Sequence, residues 1–189
     1  MAIRSEKERA LDGYLVAAAR SGDRGALERL AERWMPKLHS HAFRLCAERD
    51  LAADISQDAW SEILRGLGRL EDVNAFASWA FRIVTRRYAR AIRSLTRRRA
   101  GEQAAALDAE LEVDAVQENA AEMARVRAAI AQLPGPQRAA LGLFYREGLR
   151  VAEIAVSLDI PVGTVKTRLM HARSKLRALL EGEHHEQDR

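Results

Sequence analysis

Apolar residues recur at helical spacing along almost the whole chain. In the segment 51–70, Ile55, Ile63 and Leu67 follow one another at steps that place them on one face of a helix. No stretch alternates apolar and polar residues with the period of two that a half-buried strand requires. Ala, Leu, Arg and Glu dominate, while Gly and Pro are sparse. We therefore predict an all-α protein.

The same spacing predicts four helices in the C-terminal part. They cover 122–133, 136–148 and 151–158 and, after a turn at 159–161, a long helix that runs through Leu180. The second begins with a proline at its first position and ends at a glycine, which are typical residues for these two ends. A short helix, a tight turn and a longer helix form the helix-turn-helix pattern, whose second helix enters a DNA major groove.

The last helix has two distinct faces. At 100° per residue its apolar side predicts a core stripe, made of Val165, Leu169, Ala172 and Leu176. The opposite side carries polar and basic residues, namely Lys166, Thr167, Met170, His171, Ser174 and Arg177. A solvated polar face is the alternative interpretation. The helix-turn-helix context and the near absence of acidic residues favour DNA, with the first turns meeting base edges and phosphates.

Charge divides the chain into three blocks. Residues 1–100 hold 20 Lys/Arg and 13 Asp/Glu, residues 101–122 hold seven acidic residues and no basic one, and residues 123–180 hold ten Lys/Arg and three Asp/Glu. Two basic blocks suggest two modules that bind polyanions. The acidic block is too poor in large apolar residues to form a core, so we predict a flexible linker over 100–122. It is either a solvated tether, or a segment that occupies a basic channel on a partner or shields the protein's own basic surfaces until the partner arrives.

The segment 51–70 also carries an acidic-polar stripe on an otherwise basic module. Its members lie three and four residues apart and are Asp54, Gln57, Asp58 and Glu62. Such a stripe repels DNA and suits a positively charged protein surface.

The next segment, 76–99, contains no acidic residue and many arginines. Aromatic rings at Phe76 and Trp79 lie at its start, and some rings of this segment must enter the core. A basic helix that begins beside aromatic rings can hold phosphates and stack unpaired bases, which is the requirement for single-stranded DNA.

Catalytic and metal-binding chemistry has little support. There is no Gly-rich phosphate loop or nucleophile elbow. His39, His41 and Cys46 are the only candidate ligand group outside the C-terminal tail, and His41 points away from the other two on a helix. We predict no enzyme activity, metal or cofactor. No run of 18 apolar residues occurs in the chain, so we expect no membrane insertion. The chain contains one cysteine, which fits a reducing compartment, so we expect a cytoplasmic location.

Several motifs together resemble the extracytoplasmic-function (ECF) sigma factors of bacteria, a group of the sigma-70 family. They are "AADISQDAW", "FASWAFRIVTRR" and, after a gap, "LPGPQRAALGLFYREGLRVAEIAVSLDIPVGTVKTRLMHARSKLRALL". The resemblance implies two small helical domains: a sigma-2-like bundle over 10–99 and a sigma-4-like helix-turn-helix domain over 123–181, joined by the linker and followed by a disordered tail over 182–189.

The resemblance also implies a role for each surface. Core RNA polymerase is bound, through its clamp helices, by Asp54, Ile55, Gln57, Asp58 and Trp60. The single-stranded −10 element is held by the loop 70–77 and the helix after it, through Asn74, Phe76, Trp79, Arg82, Arg86, Arg87, Arg90 and Arg93. The double-stranded −35 element is read by Arg150, Gly163, Thr164, Lys166, Thr167, Met170, His171 and Ser174.

The sequence departs from the family pattern at three arginines. The family often has Asn at the position of Arg86 and an acid near Arg90, so −10 binding here leans more on phosphates. Ser or Thr usually stands at the position of Arg150 and caps a helix, whereas a guanidinium can reach a DNA phosphate. The predicted partners are core polymerase, promoter DNA and an anti-sigma factor. A sigma-like decoy that binds an anti-sigma factor without promoter activity is the alternative.

Overall fold

The structure, a computed structural model, describes residues 4–99 and 120–182. Most of the predicted linker and all but the first residue of the predicted tail lie outside the described residues. Within the described ranges the regular elements are all helical, which confirms the all-α prediction. They are α1 (Glu6–Arg20), α2 (Arg24–Cys46), α3 (Arg49–Gly66), α4 (Phe76–Arg99), α5 (Ala120–Ala131), α6 (Gly135–Tyr145), α7 (Val151–Leu158) and α8 (Val162–Gly182).

Helices α1 to α4 form an N-terminal bundle around Trp34, which is 1% exposed. The edge of the Trp34 ring meets Phe76 with the ring centroids 4.9 Å apart, and Phe81 packs at 5.5 Å. Side chains cap the first three helices: Ser5 and Glu8 form a capping box on α1, Asp23 caps α2 and Glu48 caps α3. Two 3-10 turns, 67–69 and 73–75, carry the chain from α3 into α4.

Helices α5 to α8 form the C-terminal unit and contain the predicted helix-turn-helix. Helix α7 has the predicted bounds, and the core stripe of α8 is confirmed because Val165, Leu169 and Ala172 are buried. Two predicted helices have other bounds: α5 covers Ala120–Ala131 and not 122–133, so it begins inside the predicted linker, and α6 ends at Tyr145, with Gly148 three residues later at φ of 62°. The glycine therefore lies in the reversal after the helix, where a left-handed backbone is required.

The two units share one apolar core. Buried residues of α6 and α7, such as Leu143 and Ile154, belong to the same contiguous cluster as Trp34 and Phe81 of the N-terminal bundle. Helix α6 packs on α2, and α7 packs on α4. The approach of α6 is close enough that a Cβ on Gly135 would lie 2.7 Å from the backbone oxygen of Leu45. This arrangement of the two units was not predicted from the sequence.

Candidate functional site

The polar face of α8 is open to solvent. Lys166, Thr167, His171 and Ser174 are exposed, and Met170 is 58% exposed. The predicted first-turn residues also lie there, with Gly163 exposed and Thr164 half-buried. None of these side chains forms an ion pair within the described residues. A base edge or a phosphate would therefore find their polar atoms uncommitted to another charge.

Arg150 lies just before α7 and is exposed. Its backbone N–H donates to Glu153 Oε2 at 2.7 Å, so the glutamate supplies its own half of a capping box, and the half that a Ser or Thr side chain would supply is not made. The guanidinium remains available to the surface. Burial raises the pKa of Glu153, but hydrogen bonds from Arg9 and from the Arg150 backbone outweigh it and hold the pKa below its usual range.

Helix α4 distributes its predicted DNA-binding residues between core and surface. Phe76 is 1% exposed and packs on Trp34, so its ring belongs to the bundle core in this conformation. Trp79 is half-buried against Phe76, with ring centroids 6.0 Å apart. Arg86, Arg90 and Arg93 are exposed. The aromatic start of α4 therefore mainly supports the helix, and the arginines present the charge.

Two arginines of α4 already hold acidic partners. The Arg87 Nε donates to Glu62 Oε2 at 2.6 Å and its Nη1 to Asp58 Oδ2 at 3.2 Å, which ties α4 to α3. Arg82 Nη2 donates to Asp159 Oδ1 at 2.8 Å, across to the C-terminal unit. Neither pairing is visible in the sequence, where both residues were predicted to bind −10 DNA.

The loop before α4 is ordered by its own polar contacts. Asp72 Oδ1 accepts hydrogen bonds from the backbone and the side-chain nitrogen of Asn74, at 2.8 and 3.1 Å. Arg20 Nη1 donates to the Leu70 oxygen at 2.8 Å. Asn74 itself is exposed. The loop thus has a defined shape, and Asn74 lies at its surface.

The acidic-polar stripe lies on α3 as predicted. Asp54, Gln57 and Asp58 are exposed, and the Asp58 side chain keeps 70% of its surface accessible despite its contact with Arg87. Trp60 is half-buried. Ile55 is 3% exposed and packs in the bundle core, so its side chain holds the stripe in place and does not face a partner.

Sequence reasoning missed a basic cleft between α3 and α4. The cleft, of about 310 Å³, is lined by Arg65, Gly66 and Arg69 on one side and by Trp79, Arg82 and Arg86 on the other. The stretch "RGLGRL" contains two arginines four residues apart, which is the spacing of neighbours on a helix surface. The apolar residues of the same segment were used for the prediction, and the two arginines were not.

The groups considered for metal binding do not form a site. His41 is fully buried, and its Nε2 lies 3.1 Å from Thr85 Oγ1, whose own proton goes to the Phe81 oxygen. Burial, with a smaller effect of Arg44, lowers the pKa of His41 to about 3, so the ring is neutral. Burial raises the pKa of Cys46. Among the described residues, no three His, Cys, Asp or Glu side chains form a metal-binding group.

One further property concerns membranes. No helix in the described ranges, 4–99 and 120–182, is both long and apolar enough to cross a bilayer.

The described surfaces are a helix-turn-helix with an open polar face, an arginine-rich helix beside a shaped loop, and an acidic stripe. Together they define a two-module helical protein with features of nucleic-acid binding.

Comparison with known proteins identifies the class. The profile of the family "Sigma-70 region 2" matches residues 30–108, and that of "Sigma-70, region 4" matches residues 123–176. The chain is 33% identical over 172 residues to the ECF RNA polymerase sigma factor SigM of Mycobacterium tuberculosis, covering 89% of this chain and 84% of that protein. It is 29% identical to the RNA polymerase sigma-H factor of Pseudomonas aeruginosa, covering 90% and 94%.

Solved structures agree on the fold. The sigma factor RpoE of Bartonella quintana, in complex with the anti-sigma factor NepR, superposes with a TM-score of 0.69 at 22% identity, over 82% of this chain and 96% of that one. CnrH, in complex with the cytosolic domain of CnrY, gives 0.62 at 27% identity, over 91% and 98%. The chain belongs to the ECF sigma factors of the sigma-70 family.

Proposed function

We propose that this ECF sigma factor binds core RNA polymerase and directs it to promoters by reading a −35 element with α8 and a melted −10 element with α4. It acts in the cytoplasm as a specificity subunit, without catalysis or a cofactor of its own. The observation that carries this proposal is the polar face of α8: the residues matched to −35 recognition are on the surface of a helix whose other face is fixed in the core. A rigid helix with a free, acid-poor face meets the geometric requirement for major-groove contact.

The −10 half of the proposal is supported by the exposed arginines of α4 and by Asn74. Arg86, Arg90 and Arg93 lie along the same helix and supply sequence-independent contacts to phosphates. Asn74, presented by the ordered loop, has amide groups that can bond to an unpaired base. Phe76 and Arg87 contribute to this half through the fold, because one is buried and the other is paired.

The polymerase half is supported by the stripe on α3. Asp54, Gln57 and Asp58 are exposed together on a unit that is otherwise basic. Polar and acidic side chains of this kind fit a basic protein surface and repel DNA. The stripe therefore separates polymerase binding from DNA binding within one unit.

Run-off transcription on a pool of promoters, with and without this protein, tests the proposal. We expect core polymerase to start at specific sites only when the protein is present. Lys166→Ala should weaken −35 recognition by about 1 to 3 kcal/mol if Lys166 contacts a base. The matched control is Lys175→Ala, an exposed lysine further along α8. No initiation at any promoter, despite core binding, would contradict the proposal.

Polymerase binding has its own test. The double reversal Asp54→Lys and Asp58→Lys should abolish core binding, measured by co-elution, while binding to −35 duplex persists. The control reversal Glu28→Lys and Glu32→Lys changes the charge equally at exposed positions of α2. Equal core binding by both variants would remove the stripe from the interface.

We propose an anti-sigma factor as a further partner. Among the structural relatives, RpoE is seen in complex with the anti-sigma factor NepR, and CnrH in complex with the cytosolic domain of CnrY. The decoy alternative lacks a specific observation in its favour, since a decoy has no use for the free basic face of α8. Strong binding of an anti-sigma factor together with absent transcription would nevertheless support it.

A further inference from the structure

A groove of about 580 Å³ is lined by residues of α2, α5 and α6. Helix α6 packs on α2 and α5 packs on α8, which leaves space between these helices. Small-molecule sites typically have volumes between about 300 and 1,000 Å³. None of the residues matched to polymerase, to the −10 element or to the −35 element lines this groove. The proposed function therefore leaves it without a role.

The groove stays open because one stripe of α5 carries small side chains. Ala124, Ala128 and Ala131 follow one another at steps of four and three residues, which places them on one side of the helix. All three line the groove, and Ala124 and Ala128 are exposed. Larger residues at these positions would occupy the space with side chains of α5 itself.

The other walls of the groove are apolar. Phe43 of α2 and Ile130 of α5 are half-buried, and Leu141 of α6 is 7% exposed. Tyr145, at the end of α6, is 49% exposed. Hydrocarbon that covers apolar side chains removes their surface from water, which is favourable. These walls therefore suit an alkyl chain.

All the charged residues that line the groove are arginines, namely Arg44, Arg127, Arg138 and Arg146. Backbone oxygens hold Arg138, whose Nε donates to Arg44 at 2.8 Å and whose Nη1 donates to Ala131 at 3.0 Å. Arg146 is exposed and forms no ion pair within residues 4–99 and 120–182. Positive charge of this kind attracts an anion to the groove.

Arg44 is almost fully buried, with its side chain 11% exposed. Its Nη2 donates to Ser40 Oγ at 3.0 Å and to Glu147 Oε1 at 3.3 Å, whereas its Nη1 is buried without a hydrogen-bond partner among the described residues. A Cβ on Gly142 would overlap this Nη1, so only glycine lets α6 lie against the guanidinium. Burial lowers the pKa of Arg44 to about 10, and the charge of Arg146 lowers it further although Glu147 opposes the change.

The charges around Arg44 leave room for one more anion. Arg44 and Arg146 carry two positive charges, and Glu147 supplies one negative charge to Arg44. A singly charged group between the two arginines would balance the remaining charge and would offer an acceptor to the unpaired Nη1.

We propose that the groove binds a fatty acid of medium chain length, with its alkyl chain along the alanine stripe of α5 and Phe43 and its carboxylate on Arg146 and Arg44. A single carboxylate at the end of a hydrocarbon chain matches a lining made of apolar residues and arginines. The inference does not rest on the proposed function, because binding of the ligand is measured on the free protein.

Isothermal titration calorimetry of the full chain with octanoate, decanoate and dodecanoate, each below its critical micelle concentration, tests the site. We expect one ligand per chain. Affinity should rise about fourfold with each added methylene, because burial of one methylene contributes about 0.8 kcal/mol. Decyltrimethylammonium has the chain length of decanoate and the opposite charge, so it reports unspecific binding to apolar surface. It should bind about tenfold more weakly than decanoate or worse.

Two variants alter the groove at exposed positions. Ala128→Leu places a larger side chain in the groove and should weaken decanoate binding about tenfold, which corresponds to about two displaced methylenes. Its control is Ala178→Leu, the same change at an exposed position of α8. Arg146→Gln should also weaken binding about tenfold, whereas Arg146→Lys should keep most of the affinity. The control for the lost charge is Arg177→Gln on α8, and all variants should keep the helical circular dichroism.

The outcomes decide both the site and the ligand. If the unmodified chain binds none of the three carboxylates at millimolar concentration, the fatty-acid site is overturned. Equal affinity of Ala128→Leu and Ala178→Leu for decanoate overturns it as well, because the ligand then lies elsewhere. If Ala128→Leu loses binding and Arg146→Gln does not, the assignment of the carboxylate is wrong.

A helix of a protein partner is the other class of occupant for an apolar groove. If none of the carboxylates binds and Ala128→Leu weakens the binding of an anti-sigma factor, the groove belongs to that partner and the fatty-acid site is overturned. Every outcome is read from binding alone, so the proposed function in transcription stands or fails separately.

Discussion

Helices α4 and α8 are both predicted to meet DNA, but they are built differently. On α8 the residues for packing and those for DNA lie on separate faces, because its apolar stripe is buried and the opposite face is exposed. Helix α4 mixes its roles along one sequence. Phe76 packs in the bundle core, Arg87 binds α3, Arg82 binds the C-terminal unit, and Arg86 is exposed beside the basic cleft.

The difference shows when residue type is a sufficient guide to role. A helix at the edge of its unit, such as α8, touches the core on one side only, so periodicity alone assigns each residue. Helix α4 packs on α2, α3 and α7, and its arginines reach α3 through Arg87 and the C-terminal unit through Arg82. An arginine or an aromatic residue on such a helix can serve packing, pairing or binding, and its neighbours decide which.

The sharpest contrast is between Phe76 and Met170, both matched to DNA by the resemblance. Phe76→Ala should lower the free energy of unfolding by about 3 to 5 kcal/mol, because it opens a cavity against Trp34. Met170→Ala should change it by less than about 0.5 kcal/mol, since the side chain is 58% exposed. Urea denaturation followed by circular dichroism measures both. Similar stability of the two variants would mean that Phe76 is not a core residue of α4.

A second prediction concerns acid sensitivity beneath α4, where His41 packs on Phe81 with ring centroids 5.2 Å apart. The folded protein holds the pKa of His41 at about 3, against an ordinary value of 6.5. Below pH 6.5 His41 binds a proton in the unfolded chain but stays neutral in the folded chain. The free energy of unfolding therefore falls as the pH falls. Between about pH 7.5 and about pH 5 the loss from this residue should be about 2 kcal/mol.

Urea unfolding at the two pH values measures this loss in the unmodified protein and in His41→Leu, where the loss should be about 2 kcal/mol smaller. Thr85→Val is the control, because it removes the hydrogen-bond partner of His41 but leaves the ring buried. It should be less stable at both pH values and keep the steep dependence. An equally steep dependence in His41→Leu would exclude His41 as its source.

The extent of what sequence could predict follows from the range of the interactions concerned. Helix α7 was placed to the residue, because caps, turns and apolar spacing are local signals. The resemblance located Ile55 and Phe76 in functional segments but carried no information on burial. The pair Arg82 and Asp159 is separated by 77 positions, and no local pattern links two such residues. The same holds for the pairing of Glu147 with α2, so the arrangement of the two units required the structure.

The smallest predicted effect separates two neighbouring arginines of α4. Arg87→Ala should cost about 1 kcal/mol of stability, because it removes the contacts to Glu62 and Asp58, and should change single-strand affinity little. Arg86→Ala should leave stability within about 0.5 kcal/mol and make the salt slope of single-strand binding shallower by about 0.7. Thermal unfolding and fluorescence anisotropy separate the two effects. If Arg87→Ala lowers the salt slope as much as Arg86→Ala does, the bound strand displaces Glu62 and Asp58 from Arg87. In that case the ion pairs of α4 do not prevent its arginines from binding DNA phosphates.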